Sequence, residues 1–291
     1  MCAVTVDLPC GQRRIYAGGM PRLSVNGVEL YYEDQGAGIP ILGVHGTPSS
    51  AVMWADAATE LALHGRCIIY DRRGFHRSAP HVPFRALDLV DHVNDAAGLL
   101  AALHVGPAVV IGRSSGGLIA IELARLFPDK VKALVLLEPA LLTIDPAAAS
   151  WARSLRRTVL ERSEGRTVQL AEIMLREALG DAVWESLSNK LQKMFESTGA
   201  AVLAEINGHG MDLSEDALEL SEAELAAIRQ PTLIVSAENS PEACRLVNAR
   251  LTGALPRTRT VVVTGGHLIN PAHPAVLDFL DRIAADANSW E

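Results

Sequence analysis

The run Gly112-Arg113-Ser114-Ser115-Gly116-Gly117 carries the strongest chemical signal in the chain. It follows a short apolar stretch, 108–111, and opens a helical pattern that begins near Leu118. A serine with glycines two before and two after it, set between a buried strand and a helix, is a G-x-S-x-G elbow. Its chemistry is nucleophilic attack on an acyl carbon. The turn strains the backbone, so the flanking positions must be almost free of side chain. The helix N-terminus beneath it favours the negative charge that acyl transfer creates. Ser115 competes as nucleophile, but only Ser114 has glycines at both required positions. The plain alternative is a tight glycine turn that packs a helix on a strand and does no chemistry.

Serine is inert at its own pKa and needs a base. Of nine histidines, His267 has the best setting, on a short Gly265-Gly266 loop past the stretch 260–263 and before a C-terminal helix. His45, beside Gly46, is the next candidate, and His273 before Pro274 reads as the start of the last helix. His64, His76, His81, His92 and His104 fall on helices or polar loops, where solvated imidazoles are expected. The four cysteines (Cys2, Cys10, Cys67, Cys244) have no CxxC spacing and no histidines at zinc-finger distances. The expectation is therefore no metal, no structural disulfide and a reduced, cytoplasmic protein.

These residues need elements to position them. Leu23, Val25, Val28, Leu30 and Tyr32 alternate about Asn26-Gly27, a dipeptide suited to a tight hairpin turn. Short Val/Ile/Leu stretches at 39–44, 67–70, 108–111, 131–137, 232–235 and 260–263 predict strands. Helical periods at 51–63, 87–103, 118–127, 243–255 and 274–284 alternate with them. That rhythm predicts an α/β fold, a mostly parallel sheet flanked by helices. Residues 140–221 break it with helical periodicity alone, which predicts a helical cap inserted between 20–139 and 222–291. Ser221 followed by Glu224 is a capping box that starts the return to the sheet. Residues 1–19 differ in composition and read as a loose extension.

Composition narrows the function. The chain has 291 residues, 49% hydrophobic and 21% charged, which excludes a disordered chain. A net charge of -8 argues against a backbone-binding nucleic-acid protein. No apolar run reaches the length of a membrane span, so no membrane partner is expected.

On the elbow at Ser114, His45-Gly46-Thr47-Pro48, Asp71-Arg72-Arg73-Gly74 and Gly265-Gly266-His267, the chain from Leu23 to Leu280 resembles the α/β-hydrolases. The resemblance implies an oxyanion hole made by the amides of Thr47 and Ser115, and places Asp71 and Arg73 as loop braces. It also exposes a departure. The family most often carries its triad acid after the strand that follows the cap, where this chain reads Val235-Ser236-Ala237-Glu238-Asn239-Ser240-Pro241, with Ser240 at the usual aspartate position. Two replacements are open. Glu138 ends the strand 131–137 as a lone acid among apolar residues, a costly placement unless paired; Glu238 lies nearer the usual position. Zearalenone-type lactone hydrolases resemble this chain in taking a glutamate from the strand after the elbow helix, which favours Glu138. Dehalogenases and epoxide hydrolases need a carboxylate nucleophile, which Ser114 is not.

The expected function is a cofactor-independent serine hydrolase of small hydrophobic esters or lactones, monomeric or homodimeric. Its catalytic set would be Ser114, His267 and Glu138, with Glu238 as alternative acid. Trp151, Trp184, Phe195 and Met174 of the cap are the candidate substrate-binding residues, and His209 a weaker one. Arg113 can pair with Glu138, brace the cap or meet a substrate acid group. A carbon–carbon bond hydrolase with the same triad and a small-molecule receptor on the same fold are the alternatives.

Overall fold

The computed structural model describes residues 21–285. The expected extension 1–19, with Cys2 and Cys10, lies outside the described residues. In chain order the elements are β1 (Arg22–Val25), β2 (Val28–Gln35), β3 (Pro40–Val44), α1 (Ala55–Leu61), β4 (Arg66–Tyr70), α2 (Leu89–Ala102) and β5 (Ala108–Arg113). There follow α3 (Ser115–Leu126), β6 (Val131–Leu137), α4 (Pro146–Ser163), α5 (Thr167–Leu179), α6 (Asp181–Glu185), α7 (Asn189–Glu196) and α8 (Gly199–Asn207). The chain closes with α9 (Glu222–Ala227), β7 (Thr232–Ala237), α10 (Glu242–Ala254), β8 (Thr258–Val263) and α11 (Pro274–Ala285).

The strands form one eight-stranded sheet in the order β1-β2-β4-β3-β5-β6-β7-β8. β1 and β2 are an antiparallel hairpin, turned by Asn26 and Gly27 at φ 47° and 79°, the left-handed pair that a two-residue hairpin requires. β2 pairs antiparallel with β4, and all further pairings are parallel. Parallel strands need crossovers, and the helices that supply them cover both faces. β5 shows the result: Ala108 and Val110 pack in the cluster shared with α2, α3 and α10, while Val109 and Ile111 face α1 and α11. Each such fully buried Val or Ile side chain stabilises the fold by about 1.5–3 kcal/mol.

The insertion between β6 and β7 is helical, as its periodicity predicts. Asp145 caps α4 by accepting from the amides of Ala147 and Ala148 at 2.9 and 3.3 Å, with Pro146 in the first turn where its missing N–H costs nothing. Leu155, Val159, Met174 and Val202 extend the core cluster from the sheet into the cap. Two expectations need correcting. Residues 51–63 are not one helix: a 3-10 turn at Ala51–Trp54 precedes α1, its start held by the Asp71 carboxylate on the Ala51 amide at 2.6 Å and by Ser50 Oγ on the Val52 amide at 3.2 Å. Residues 208–220 are irregular rather than helical, and this stretch carries Asp212 and Leu213 to the wall of a pocket. Among the described residues no helix is long and apolar enough to cross a membrane.

Candidate active site

Ser114 stands between the end of β5 and the start of α3 with φ 55° and ψ -123°, a strained backbone of the kind found where function over-determines geometry. The strain is held by its neighbours. The Ser114 amide donates to the Leu137 carbonyl at 3.1 Å, and its carbonyl accepts from the Ala140 amide at 3.0 Å. The elbow is thus clamped to the segment that contains Glu138. A Cβ on Gly116 would collide with the carbonyls of Val44 and His45, so glycine there lets α3 start directly against the tip of β3. On Gly46 a Cβ would stand 2.8 Å from the Arg113 carbonyl oxygen and 3.0 Å from Ser114 Cβ, which measures how closely the Gly46-Thr47 loop passes the elbow. Thr47 N–H makes no hydrogen bond to another described residue. Ser115 N–H, first in its helix, lacks an intrahelical acceptor. Both amides are therefore free donors beside Ser114.

Glu138 sits at the tip of β6 at φ 48° and is 1% exposed. Three donors surround its carboxylate: His267 Nδ1 on Oε2 at 2.6 Å, Ser240 Oγ on Oε2 at 2.8 Å and the Ala237 amide on Oε1 at 2.7 Å. That answers the burial cost, since a buried carboxylate must be fully hydrogen-bonded. The bond also fixes the tautomer, placing the His267 proton on Nδ1 and leaving Nε2 as the free acceptor. Glu238 is exposed, and its amide pairs with the Val263 carbonyl at 3.0 Å; the structure does not bring it to His267. Ser240, at the position where the resemblance expects aspartate, donates to Glu138.

Glu138, His267 and Cys244 also place possible metal-ligand atoms within 4.8 Å of one another. Burial first, then the Glu138 charge, push the Cys244 thiol up to about 12, whereas a metal needs the thiolate. The facing atoms of Glu138 and His267 are already joined to each other. The arrangement suits an acid–base pair rather than a metal centre.

Ser114 and His267 share the wall of one pocket with Thr47, Trp151, Met174 and Leu213. Of the four cap residues expected to bind substrate, the structure puts Trp151 and Met174 there. Trp184 and Phe195 are a correction: they pack on each other, ring centroids 6.4 Å apart, in a small cluster with Ala171, Leu175 and Met194. The apolar sides of α6 and α7 bury against α5 and form the cap's own core. His209 is exposed and paired with Asp216 on the surface. Arg113 is buried, but its guanidinium lies near the Trp54 ring and donates to the Ile269 carbonyl at 3.3 Å. It does not pair with Glu138 or brace the cap: it steadies the loop just past His267 and also lines the pocket that holds Ser114. Burial pushes its pKa down to about 10.

Asp71 and Arg73 brace loops as expected, Asp71 through the Ala51 amide and Arg77, and Arg73 through Asp95 at 2.6 Å. His92 is a further correction: it is buried, and its Nε2 lies 2.8 Å from Glu205. The sequence reading missed Glu205, Arg72 and Asp212. Asp212 lines the pocket, and burial, then the Glu205 charge, push its carboxyl up to about 6. Its only sequence-level signal is an acid in an otherwise small and apolar stretch, Gly210-Met211-Asp212-Leu213.

Comparison with known proteins places the fold. RutD of Azorhizobium caulinodans is 28% identical over 271 residues, covering 89% of this chain and 96% of its own. Several other curated relatives match over less than half of their own length. A thermophilic esterase from Thermogutta terrifontis superposes with a TM-score of 0.68 at 25% identity, over 91% of this chain and 99% of that one. Est816, described as an N-acyl homoserine lactone degrading enzyme, does so with a TM-score of 0.61 at 25% identity, over 90% and 99%. The family defined by the α/β hydrolase fold matches residues 39–274, most of the sheet and the entire insertion, and the chain belongs to it.

Proposed function

We propose that the protein is a serine hydrolase of carboxylic esters or lactones that works through an acyl-enzyme on Ser114. The observation that carries this reading is the 2.6 Å bond from His267 Nδ1 to Glu138, on a pocket wall shared with the strained Ser114. His267 Nε2 takes the Ser114 proton as Oγ attacks the acyl carbon, and Glu138 stabilises the imidazolium that forms. The carbonyl oxygen becomes an oxyanion held by the amides of Thr47 and Ser115, the second aided by the α3 N-terminus. Collapse of this intermediate breaks the bond to the leaving alcohol, which receives the proton from His267. Water, deprotonated by the same Nε2, then attacks the acyl carbon and releases the acid and free Ser114.

The esterase and the lactone-degrading neighbour support a hydrolytic reading for the fold's site. The apolar wall supplied by Trp151 and Met174 fits a hydrophobic acyl or alcohol group. A fluorophosphonate probe tests the reading. Labelling that maps to Ser114 and is abolished in Ser114→Ala, with turnover of p-nitrophenyl esters, supports it. Labelling that persists in Ser114→Ala, or an unlabelled folded protein, overturns it.

A further inference from the structure

Beneath the Gly46-Thr47 loop lies a buried cluster that the mechanism above does not use. Arg72 and Glu205 are 1% and 3% exposed, and Arg72 Nη1 donates to Glu205 Oε1 at 2.6 Å. A second guanidinium nitrogen, Nη2, donates to the Gly46 carbonyl at 3.1 Å and to Thr47 Oγ1 at 2.5 Å. Thr47 Oγ1 in turn donates to Glu205 Oε2 at 2.7 Å, and His92 Nε2 stands 2.8 Å from Glu205 Oε1. Glu205 belongs to α8, a cap helix, while Arg72, Gly46, Thr47 and His92 belong to the core.

His45 completes the cradle. Its Nε2 accepts from the Arg72 amide at 3.0 Å, which assigns the ring proton to Nδ1, and Nδ1 donates to the Gly46 carbonyl at 2.8 Å. Burial first, then the neighbouring Arg72 charge, hold this imidazole neutral. Glu205 has the opposite fate. Burial works against its charged form, but Arg72, His92 and Thr47 outweigh it and bring the carboxyl down to about 2.

The Gly46 carbonyl and the Thr47 N–H are two ends of one peptide unit, and in a planar trans unit they point in opposite directions. Two donors on the carbonyl therefore fix where the amide points. One of them is a cation, which draws electron density toward the oxygen and makes the N–H a stronger donor. That amide is one of the two free donors beside Ser114. We propose that Arg72 and the cap residue Glu205 are positioning residues for the oxyanion hole, setting the direction and donor strength of the Thr47 amide. The proposal rests on the oxyanion role given to Thr47 above. It makes the cap part of the catalytic apparatus: Glu205 neutralises and aims Arg72, so the hole is complete only with α8 docked.

The test compares wild type with Glu205→Gln, Arg72→Lys and Arg72→Gln. A first readout needs no activity: in protein labelled with 15N-threonine, the Thr47 amide proton moves to higher field in Glu205→Gln and Arg72→Gln. An unmoved Thr47 resonance in both folded variants overturns the proposal. The second readout is kinetic. Loss of one oxyanion donor costs about 100- to 1,000-fold in kcat. We expect Arg72→Gln near 100-fold and Glu205→Gln near 10-fold, with KM within twofold. Arg72→Lys, which keeps the charge, should recover part of the loss. Affinity for an aryl trifluoromethyl ketone, which forms the tetrahedral oxyanion on Ser114, should fall in step with kcat. A kcat loss without that fall, or KM rising by the same factor, would mean a merely structural brace. Failure of the serine-hydrolase reading shows separately, as absence of ketone adduct and fluorophosphonate label in wild type. If Arg72→Gln does not fold, Glu205→Gln decides.

Discussion

Relocating the triad acid gives the sharpest test of the proposed mechanism. Glu138 Oε2 lies 2.6 Å from His267 Nδ1 and 2.8 Å from Ser240 Oγ, so position 240 already reaches the place where the charge is needed. Glu138→Ala leaves the His267 and Ser240 protons and the Ala237 amide without their acceptor. Loss of the tautomer-fixing carboxylate costs a triad about 10,000-fold in kcat, or about 5.5 kcal/mol. Adding Ser240→Asp should return about 100- to 1,000-fold of this, because its carboxylate extends beyond the present hydroxyl toward His267. Ser240→Asp alone sets two carboxylates about 2.8 Å apart. At an effective dielectric of about 20 their repulsion is about 6 kcal/mol, or about 4 pKa units. The pair then holds one proton near neutral pH, and activity should stay within about tenfold of wild type. The assay is kcat/KM on a p-nitrophenyl ester from pH 5 to 9, with Glu238→Gln as comparison. A loss under about tenfold in Glu138→Ala, or an equal loss in Glu238→Gln, would refute Glu138 as the acid. A double variant no better than Glu138→Ala would refute the claim that position 240 reaches His267.

Three further outcomes follow from the site. Asp212 has its carboxyl raised from 3.8 to about 6 by burial and the Glu205 charge, so the folded protein binds its proton more tightly than the unfolded chain. The contribution of Asp212 to stability then falls as pH rises from about 4 through 6, and Asp212→Asn should exceed wild type by up to about 3 kcal/mol at pH 8 and by nothing at pH 4. Urea unfolding at both values checks this; a wild type as stable as the variant at pH 8 contradicts it. Gly46→Ala forces a Cβ against the Arg113 carbonyl at 2.8 Å, and the displaced loop should cost about 100-fold in kcat, since misplacement by about 1 Å does so. Unchanged turnover would detach the loop from catalysis. Trp184→Ala, in the cap core, should lower stability by about 3–5 kcal/mol, whereas Trp151→Ala, on the pocket wall, should chiefly change KM for bulky esters; a reversed pattern in thermal melts and kinetics would exchange their roles.

What the sequence discloses and what it hides follow one physical rule. Ser114 was legible because its turn forbids side chains at Gly116, and such local steric demands leave a spaced pattern in the chain. The strands were legible because burial on both faces needs the unbroken runs of β5 and β6. Glu138 was half legible: an acid closing an apolar run must be paired, yet nothing nearby names its partner, which lies 129 residues on. Glu205 was not legible at all. In α8 it has the look of any helical glutamate, and its burial depends on Arg72, which is 133 residues away in the chain. His92 misled for the same reason, since a histidine on a helix facing solvent and one facing a buried carboxylate have identical local sequence. Trp184 and Phe195 show the converse, because amphipathic period marks a buried face without saying whether cap core or pocket covers it. Long-range polar pairing is therefore where reading a chain stops, and in this molecule that is also where the cap meets the Gly46-Thr47 loop. A residue such as Glu205 is held there by no local propensity. Burying it in that place costs free energy unless Arg72, Thr47 and His92 all face it together, and only the assembled fold brings them there.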